Sequence, residues 1–151
     1  MSSGSVQISI DRPADEVWAA IADVTRMGDW SPECIAGRWV GGATGPAVGA
    51  KFEGDNVAMV AGRTIKKWTT TSEVTACEPG LVFEFVAEAY TTWRYDFLPA
   101  GDSSTTVTES FDYTAKGFMG FVYDRILFRP KAMTKGMNST LARVKSSLEQ
   151  A

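Results

Sequence analysis

The sequence predicts an α+β fold: a curved antiparallel sheet of about seven strands, two short helices near its start, and a long C-terminal helix that closes over the sheet to enclose a cavity. Three observations carry this. From Cys34 to about Tyr113 apolar residues recur with period two, the mark of strands with one buried face. From Lys116 onward the period is 3.6, which belongs to a helix. The strand segments are joined by short connections, so successive strands pair antiparallel as a meander.

Each element has a local reason. Gln7-Ile8-Ser9-Ile10 alternates and reads as a short strand. Pro13 suits the first turn of a helix, and Asp15 and Glu16 complement its dipole there. Val17, Ile21 and Val24 follow as an amphipathic stripe. Thr25 to Trp30 forms a second short helix, ended by Ser31-Pro32-Glu33. Six strands are then expected at 35–41, 50–60, 63–77, 82–88, 92–98 and 105–114. Turn chemistry separates them at Gly41–Pro46, Ala61-Gly62, Glu78-Pro79-Gly80, Glu88-Ala89-Tyr90 and Ala100–Ser104. Met133, Met137, Leu141, Val144 and Leu148 mark one face of the long helix. Pro130 kinks that helix or starts a second segment of it, and Gly136 is a weak point.

Composition bounds the function. The chain has 151 residues, 44% hydrophobic and 22% charged, the profile of one globular domain over residues 1–151. No apolar run approaches the ~20 residues that span a bilayer. Met1 to Ser5 carries neither a basic nor an apolar stretch, so a cytoplasmic location is expected. There is no histidine, which removes Ser-His-Asp and Cys-His catalysis and most zinc and iron sites. Chemistry would fall to Asp, Glu, Tyr, Lys, Arg, Cys or ordered water. Cys34 and Cys77 form no C-x-x-C and read as small buried hydrophobes. Phosphate-binding and nucleophile-elbow motifs are absent, and the acids are not spaced as metal ligands, so neither metal nor cofactor is expected. The net charge is −3, yet Lys116, Arg125, Arg129, Lys131, Lys135, Arg143 and Lys145 face only Asp124 and Glu149 in the last segment. With no basic stripe elsewhere, nucleic-acid binding is not expected.

Strand parity identifies the inner face. Trp68, Thr70, Ser72, Val74 and Ala76 share it in one strand, and Phe83, Phe85 and Ala87 in the next. Trp93, Tyr95 and Phe97 follow, then Val107, Phe111 and Tyr113, with Phe52 and Asn56 joining by parity. An odd-length turn near residues 89–91 would set Phe83 and Phe85 beside Tyr95 and Phe97. Such a wide aromatic face is either a packed core or the lining of a pocket, and pockets favour aromatic walls with a few polar groups. The residues expected to touch a ligand are Asn56, Trp68, Thr70, Ser72, Phe83, Phe85, Trp93, Tyr95, Phe97, Phe111, Phe121 and Tyr123.

Glu109 is the one charged residue on the apolar face of its strand, between Val107 and Phe111. A five-residue turn at 100–104 sets it opposite Tyr95; a shift of one pair sets it opposite Phe97. A buried carboxyl resists ionisation, so Glu109 is expected to have a raised pKa and to be the candidate for ligand anchoring or acid–base work. A β-bulge near residue 108 would instead turn it to solvent. Glu33 reads as a solvated loop acid. Phe118 to Phe128 is apolar around more than one helical face. One side can line the cavity, and the other calls for a homodimer partner, a ligand gate or transient contact with a membrane surface; the alternative is an embedded helix entry with solvated charges.

Several phrases resemble a known group. These are Pro13-Ala14-Asp15-Glu16-Val17-Trp18, Asp29-Trp30-Ser31-Pro32-Glu33, Val48–Gly54 with Asn56, Trp68–Val74 and Glu78–Phe83. The sequence resembles the START-like, pollen-allergen-like helix-grip superfamily (SRPBCC), in its bacterial polyketide cyclase/dehydrase-type branch. The resemblance implies a helix-grip fold. It also implies a hydrophobic or aromatic small molecule, lipid or polyketide-like, held in an internal cavity. The alternatives are a polyketide cyclase/dehydratase-type enzyme and a protein-interaction module.

Overall fold

The computed structural model describes residues 2–113 and 129–150. Strand β1 (Ser2–Ile10) leads into helix α1 (Ala14–Ala22), a 3₁₀ turn (Val24–Arg26) and the four-residue α2 (Met27–Trp30). Six strands follow: β2 (Cys34–Val40), β3 (Lys51–Val60), β4 (Arg63–Glu78), β5 (Val82–Ala87), β6 (Thr91–Pro99) and β7 (Thr105–Tyr113). The chain closes with α3 (Arg129–Glu149). All neighbours are antiparallel, in the order β1-β7-β6-β5-β4-β3-β2. The strands, helices and sheet order are those of the predicted α+β helix-grip architecture.

The meander follows from the short turns. The exception is β1, which returns to pair with β7 along its full length, from Ser2 opposite Tyr113 to Ile10 opposite Thr105. That pairing makes β1 longer than the four residues its alternation marks. Ser2 to Ser5 has little strand propensity of its own, and the ladder with β7 supplies the order.

Helix α3 presents the predicted stripe. Met133, Met137, Leu141, Val144 and Leu148 are all buried. Leu141, Val144 and Leu148 join Ile10, Val17, Ile21, Phe83, Phe97 and Val107 in the main core. Met133 and Met137 pack in a second cluster with Phe111 and Tyr113, to which Val6 and Trp93 also belong in part. Polar clasps fix the C-terminal end of α3. Lys145 Nζ donates to the Ser9 carbonyl (2.7 Å), Arg12 Nε to the Leu148 carbonyl (2.8 Å), and Asp11 N–H to Glu149 Oε2 (2.8 Å). Trp18 Nε1 donates to the Val82 carbonyl (2.9 Å), tying α1 to β5.

Two registers differ from the parity reading. A bulge in β4 between Val74 and Ala76 puts two residues where the pleat allows one. Cys77, opposite Phe83, then packs against the core in place of Ala76, which lies opposite Glu84. Residues 88–90 form an odd-length turn, but it pairs Phe83 with Tyr95 and Phe85 with Trp93, one pair from the expected match. Glu88 and Ala89 both take positive φ there, which lets three residues reverse the chain.

Candidate functional site

Three rows of side chains cross the inner face. Val107 pairs with Ile8 and Phe97, Phe111 with Gly4 and Trp93, and between them Glu109 pairs with Val6 and Tyr95. The pairing of β6 with β7 runs without a register shift from Thr91 to Thr105, so no bulge turns Glu109 outward. The five-residue turn at 100–104 sets this register. It closes with Ala100 N–H donating to the Ser104 carbonyl (2.9 Å).

Glu109 is 3% exposed. Tyr95 Oη lies 2.9 Å from Glu109 Oε2 and donates to it. Glu109 Oε1 is buried and has no hydrogen-bond partner among the described residues. Burial pushes the Glu109 pKa up to about 8, against a smaller downward pull from the Tyr95 hydrogen bond. Near pH 7 the group is therefore mainly a neutral carboxylic acid, which carries one O–H donor. Tyr95 is held well above its ordinary 10, first by burial and then by the neighbouring Glu109 charge. It stays a phenol, a donor throughout the neutral range.

The rings on this face pack in two runs. Phe52 meets Phe85 edge-on (4.9 Å) and Trp39 edge-on (5.7 Å). Phe83 lies 5.7 Å from Phe85, Trp93 lies 5.8 Å from Phe111, and Phe111 stacks on Tyr113 (6.1 Å). Phe97 is buried in the same core, while Trp68 is half-buried on β4. The polar members lie toward β2–β4. Asn56 Nδ2 donates to the Gly54 carbonyl and to Thr70 Oγ1, both at 3.1 Å, so its NH2 group is committed to the sheet. Ser72 is buried beside them, opposite Phe52.

The expected ligand contacts thus divide. Phe83, Phe85, Trp93, Tyr95, Phe97 and Phe111 gather around Glu109, whereas Asn56, Trp68, Thr70 and Ser72 form a second group on β3–β4. Phe121 and Tyr123, with the whole Phe118–Phe128 segment, lie outside the described residues. Alternation did not single out Trp39 or Cys34. Trp39 pairs with Phe52, which brings its ring to the inner wall. Cys34 pairs with Asn56, and the irregularity between Cys34 and Ala36 breaks the parity that would have placed it. Burial raises the Cys34 thiol pKa, so it stays protonated and is no activated nucleophile. Among the described residues no three of Cys, Asp and Glu gather as a metal site.

A groove of about 520 Å³ lies on the opposite side of the sheet, lined by Glu84, Arg94, Ser110 and Asp112 among others. It is open, and its Arg94 is already paired with Glu84 and Asp96, each at 3.0 Å. Among the described residues the unsatisfied buried side-chain group is Glu109, so the inner face is the stronger candidate.

The fold, with its aromatic inner face beneath a long helix, defines a START-like helix-grip protein. The chain belongs to the family described as polyketide cyclase / dehydrase and lipid transport, which it matches over residues 1–149. Among solved structures it is similar to the polyketide-cyclase-like protein Cgl2372 of Corynebacterium glutamicum, with 33% identity and a TM-score of 0.66, over 97% of this chain and 91% of that one. The aromatase/cyclase BexL of the BE-7585A biosynthetic pathway, a di-domain protein, shares the fold at 20% identity and a TM-score of 0.74; the match covers 99% of this chain and 47% of BexL. A START superfamily protein of Mycobacterium smegmatis shares it at 13% identity and a TM-score of 0.72, over 98% of this chain and 97% of that one. The chain is also 29% identical over 145 residues to the uncharacterized protein Rv0088 of Mycobacterium tuberculosis; it spans 61% of that relative's length, with 93% of its own aligned.

Proposed function

We propose that the protein binds a hydrophobic or aromatic small molecule against its inner face, with Glu109 as the polar anchor. The observation that carries this is Glu109 Oε1, buried in an otherwise apolar, aromatic setting and without a hydrogen-bond partner among the described residues. A buried polar atom without a partner costs roughly 1–3 kcal/mol. A ligand carbonyl that accepts from the neutral carboxyl would remove that cost, and the rings around it would cover the ligand's apolar body. Tyr95 fixes the carboxyl through its other oxygen. The ligand of best fit is a flat, uncharged molecule with one exposed acceptor, a description that suits aromatic ketones and polyketide-like rings. The family description and the similarity to polyketide-cyclase-like proteins support the reading.

Thermal denaturation with a panel of aromatic ketones tests it. A ligand at 100 times its Kd stabilises the native state by about 2.7 kcal/mol, so a bound ketone raises the midpoint by several degrees. Glu109→Leu should lose most of that rise. If no ketone shifts the midpoint, the inner face is a packed core and the reading fails.

A second reading is a cyclase/dehydratase-type enzyme, favoured by the burial of Glu109 beside Tyr95, which lifts its pKa to about 8 and suits it to moving protons. In its carboxylate form Glu109 would take the α-proton of a β-hydroxy ketone. The C–H electron pair would form the new C=C bond, and the carboxyl would return its proton to the departing hydroxyl, which leaves as water. Such a rate would rise as pH approaches 8, whereas anchoring by the neutral acid would weaken.

A further inference from the structure

We propose that the tip of the β3–β4 hairpin docks the protein onto an anionic lipid surface. The hairpin outgrows its sheet. Strand β2 accompanies β3 only as far as Asn56, and β5 accompanies β4 only from Ser72, so from Ala58 to Thr70 the two strands have no third strand beside them. A two-residue turn closes the tip, with Ala61 (φ 52°) and Gly62 (φ 79°) both in the left-handed region. Tight turns of this kind hold the flanking residues in fixed positions.

Those flanking residues are apolar and exposed: Met59 55%, Val60 58% and Ile65 65%. The register shift between Ala58 and Met59 leaves Ile65 without a partner in the ladder. Basic residues surround them. Arg63, Lys66 and Lys67 fall on the hairpin, and no acid occurs from Val57 to Ser72. Lys66 Nζ sits 5.4 Å over the ring of Trp68, an aromatic residue at the base of the tip. In a chain of net charge −3 this is a local excess of positive charge at an extremity.

Charge complementarity and area choose the occupant. Three exposed apolar side chains bury a few hundred Å² at most, well short of the ~1,000 Å² of a specific protein interface. Apolar tips that enter the headgroup region beneath a collar of Lys and Arg need no such area, because each basic residue adds its own attraction to anionic lipid. The hairpin carries its three basic residues with no acid between Val57 and Ser72, so its own charge draws the tip toward such a surface. Trp68, Thr70 and Ser72 then continue along β4 from the tip toward the aromatic wall.

Co-sedimentation with vesicles tests this on the whole chain. Vesicles of equimolar phosphatidylcholine and phosphatidylglycerol should bind the protein, and phosphatidylcholine vesicles should not. Combined Arg63→Gln, Lys66→Gln and Lys67→Gln should weaken binding roughly 100-fold, about fivefold for each charge. Combined Met59→Ser, Val60→Ser and Ile65→Ser should weaken it at least tenfold. All six side chains lie on the free part of the hairpin, and circular dichroism checks that both variants keep the fold. Raising the salt should release the wild-type protein, a readout that needs no variant. Equal binding to both vesicle types, no binding to either, or binding that both variants leave intact would overturn the proposal. So would self-association of the wild type that the same substitutions abolish, since it would assign the tip to a second copy.

Discussion

At the residue scale the proposed site turns on Glu109, whose placement follows from arithmetic on the chain. Alternation from Thr105 to Tyr113 puts it on the buried face, and a five-residue turn puts it opposite Tyr95. The orphaned Oε1 was not legible, because it depends on what every neighbouring strand brings within reach. The titration has a defined sign. The folded-state pKa, about 8, lies above the ordinary 4.5. The folded protein therefore holds a proton that the unfolded chain gives up. The resulting stability is fully present below pH 4.5 and is lost as pH rises through 8, by up to about 1.4 kcal/mol per pH unit. With no histidine in the chain, few other side chains titrate in this window. Glu109→Gln should remove the slope. Urea denaturation of both proteins from pH 5 to pH 9 measures it: stability of the wild type should fall across that range, and the variant should stay level. At pH 7 the variant should be as stable as the wild type or more so. Parallel pH profiles would mean that Glu109 titrates as an ordinary exposed acid.

At the scale of elements, close approach matters more than propensity. Alternation located six of the strands to within a residue or two, since their buried faces are complete. It misread β1, whose order comes from β7, and Ala76, displaced by a bulge that no local pattern announces. Two glycines show what else pattern reading misses. A Cβ on Gly37 would lie 2.2 Å from the Val24 carbonyl oxygen, and one on Gly28 would lie 2.2 Å from that of Ile35. These are backbone atoms, so the 3₁₀ turn, α2 and β2 meet without room for a methyl group. Gly37→Ala should cost about 3 kcal/mol or more. Gly136 in α3 is the contrast, for among the described residues a Cβ there meets only Pro32 Cγ at 3.9 Å. Gly136→Ala should stabilise by about 0.5–1 kcal/mol. Chemical denaturation of the two variants decides the point, and equal effects would refute the packing argument.

For the whole molecule, the helix-grip fold was legible because its parts repeat simple signals: period two, short turns, then period 3.6. The site was legible only in outline. Parity gathered the aromatic residues, but it could not separate the residues near Glu109 from the Asn56 group, whose amide donors the sheet itself takes up. The central claim is that a neutral Glu109 anchors a ligand acceptor on an aromatic surface. Isothermal titration of an aromatic ketone, with its parent hydrocarbon as control, tests this most directly when run from pH 5 to pH 9. The account predicts that ketone affinity for the wild type falls as pH rises through about 8, where the donor becomes a carboxylate. It predicts no such fall for Glu109→Gln and none for the hydrocarbon. A ketone affinity that is flat with pH, or that Glu109→Leu leaves unchanged, would contradict it.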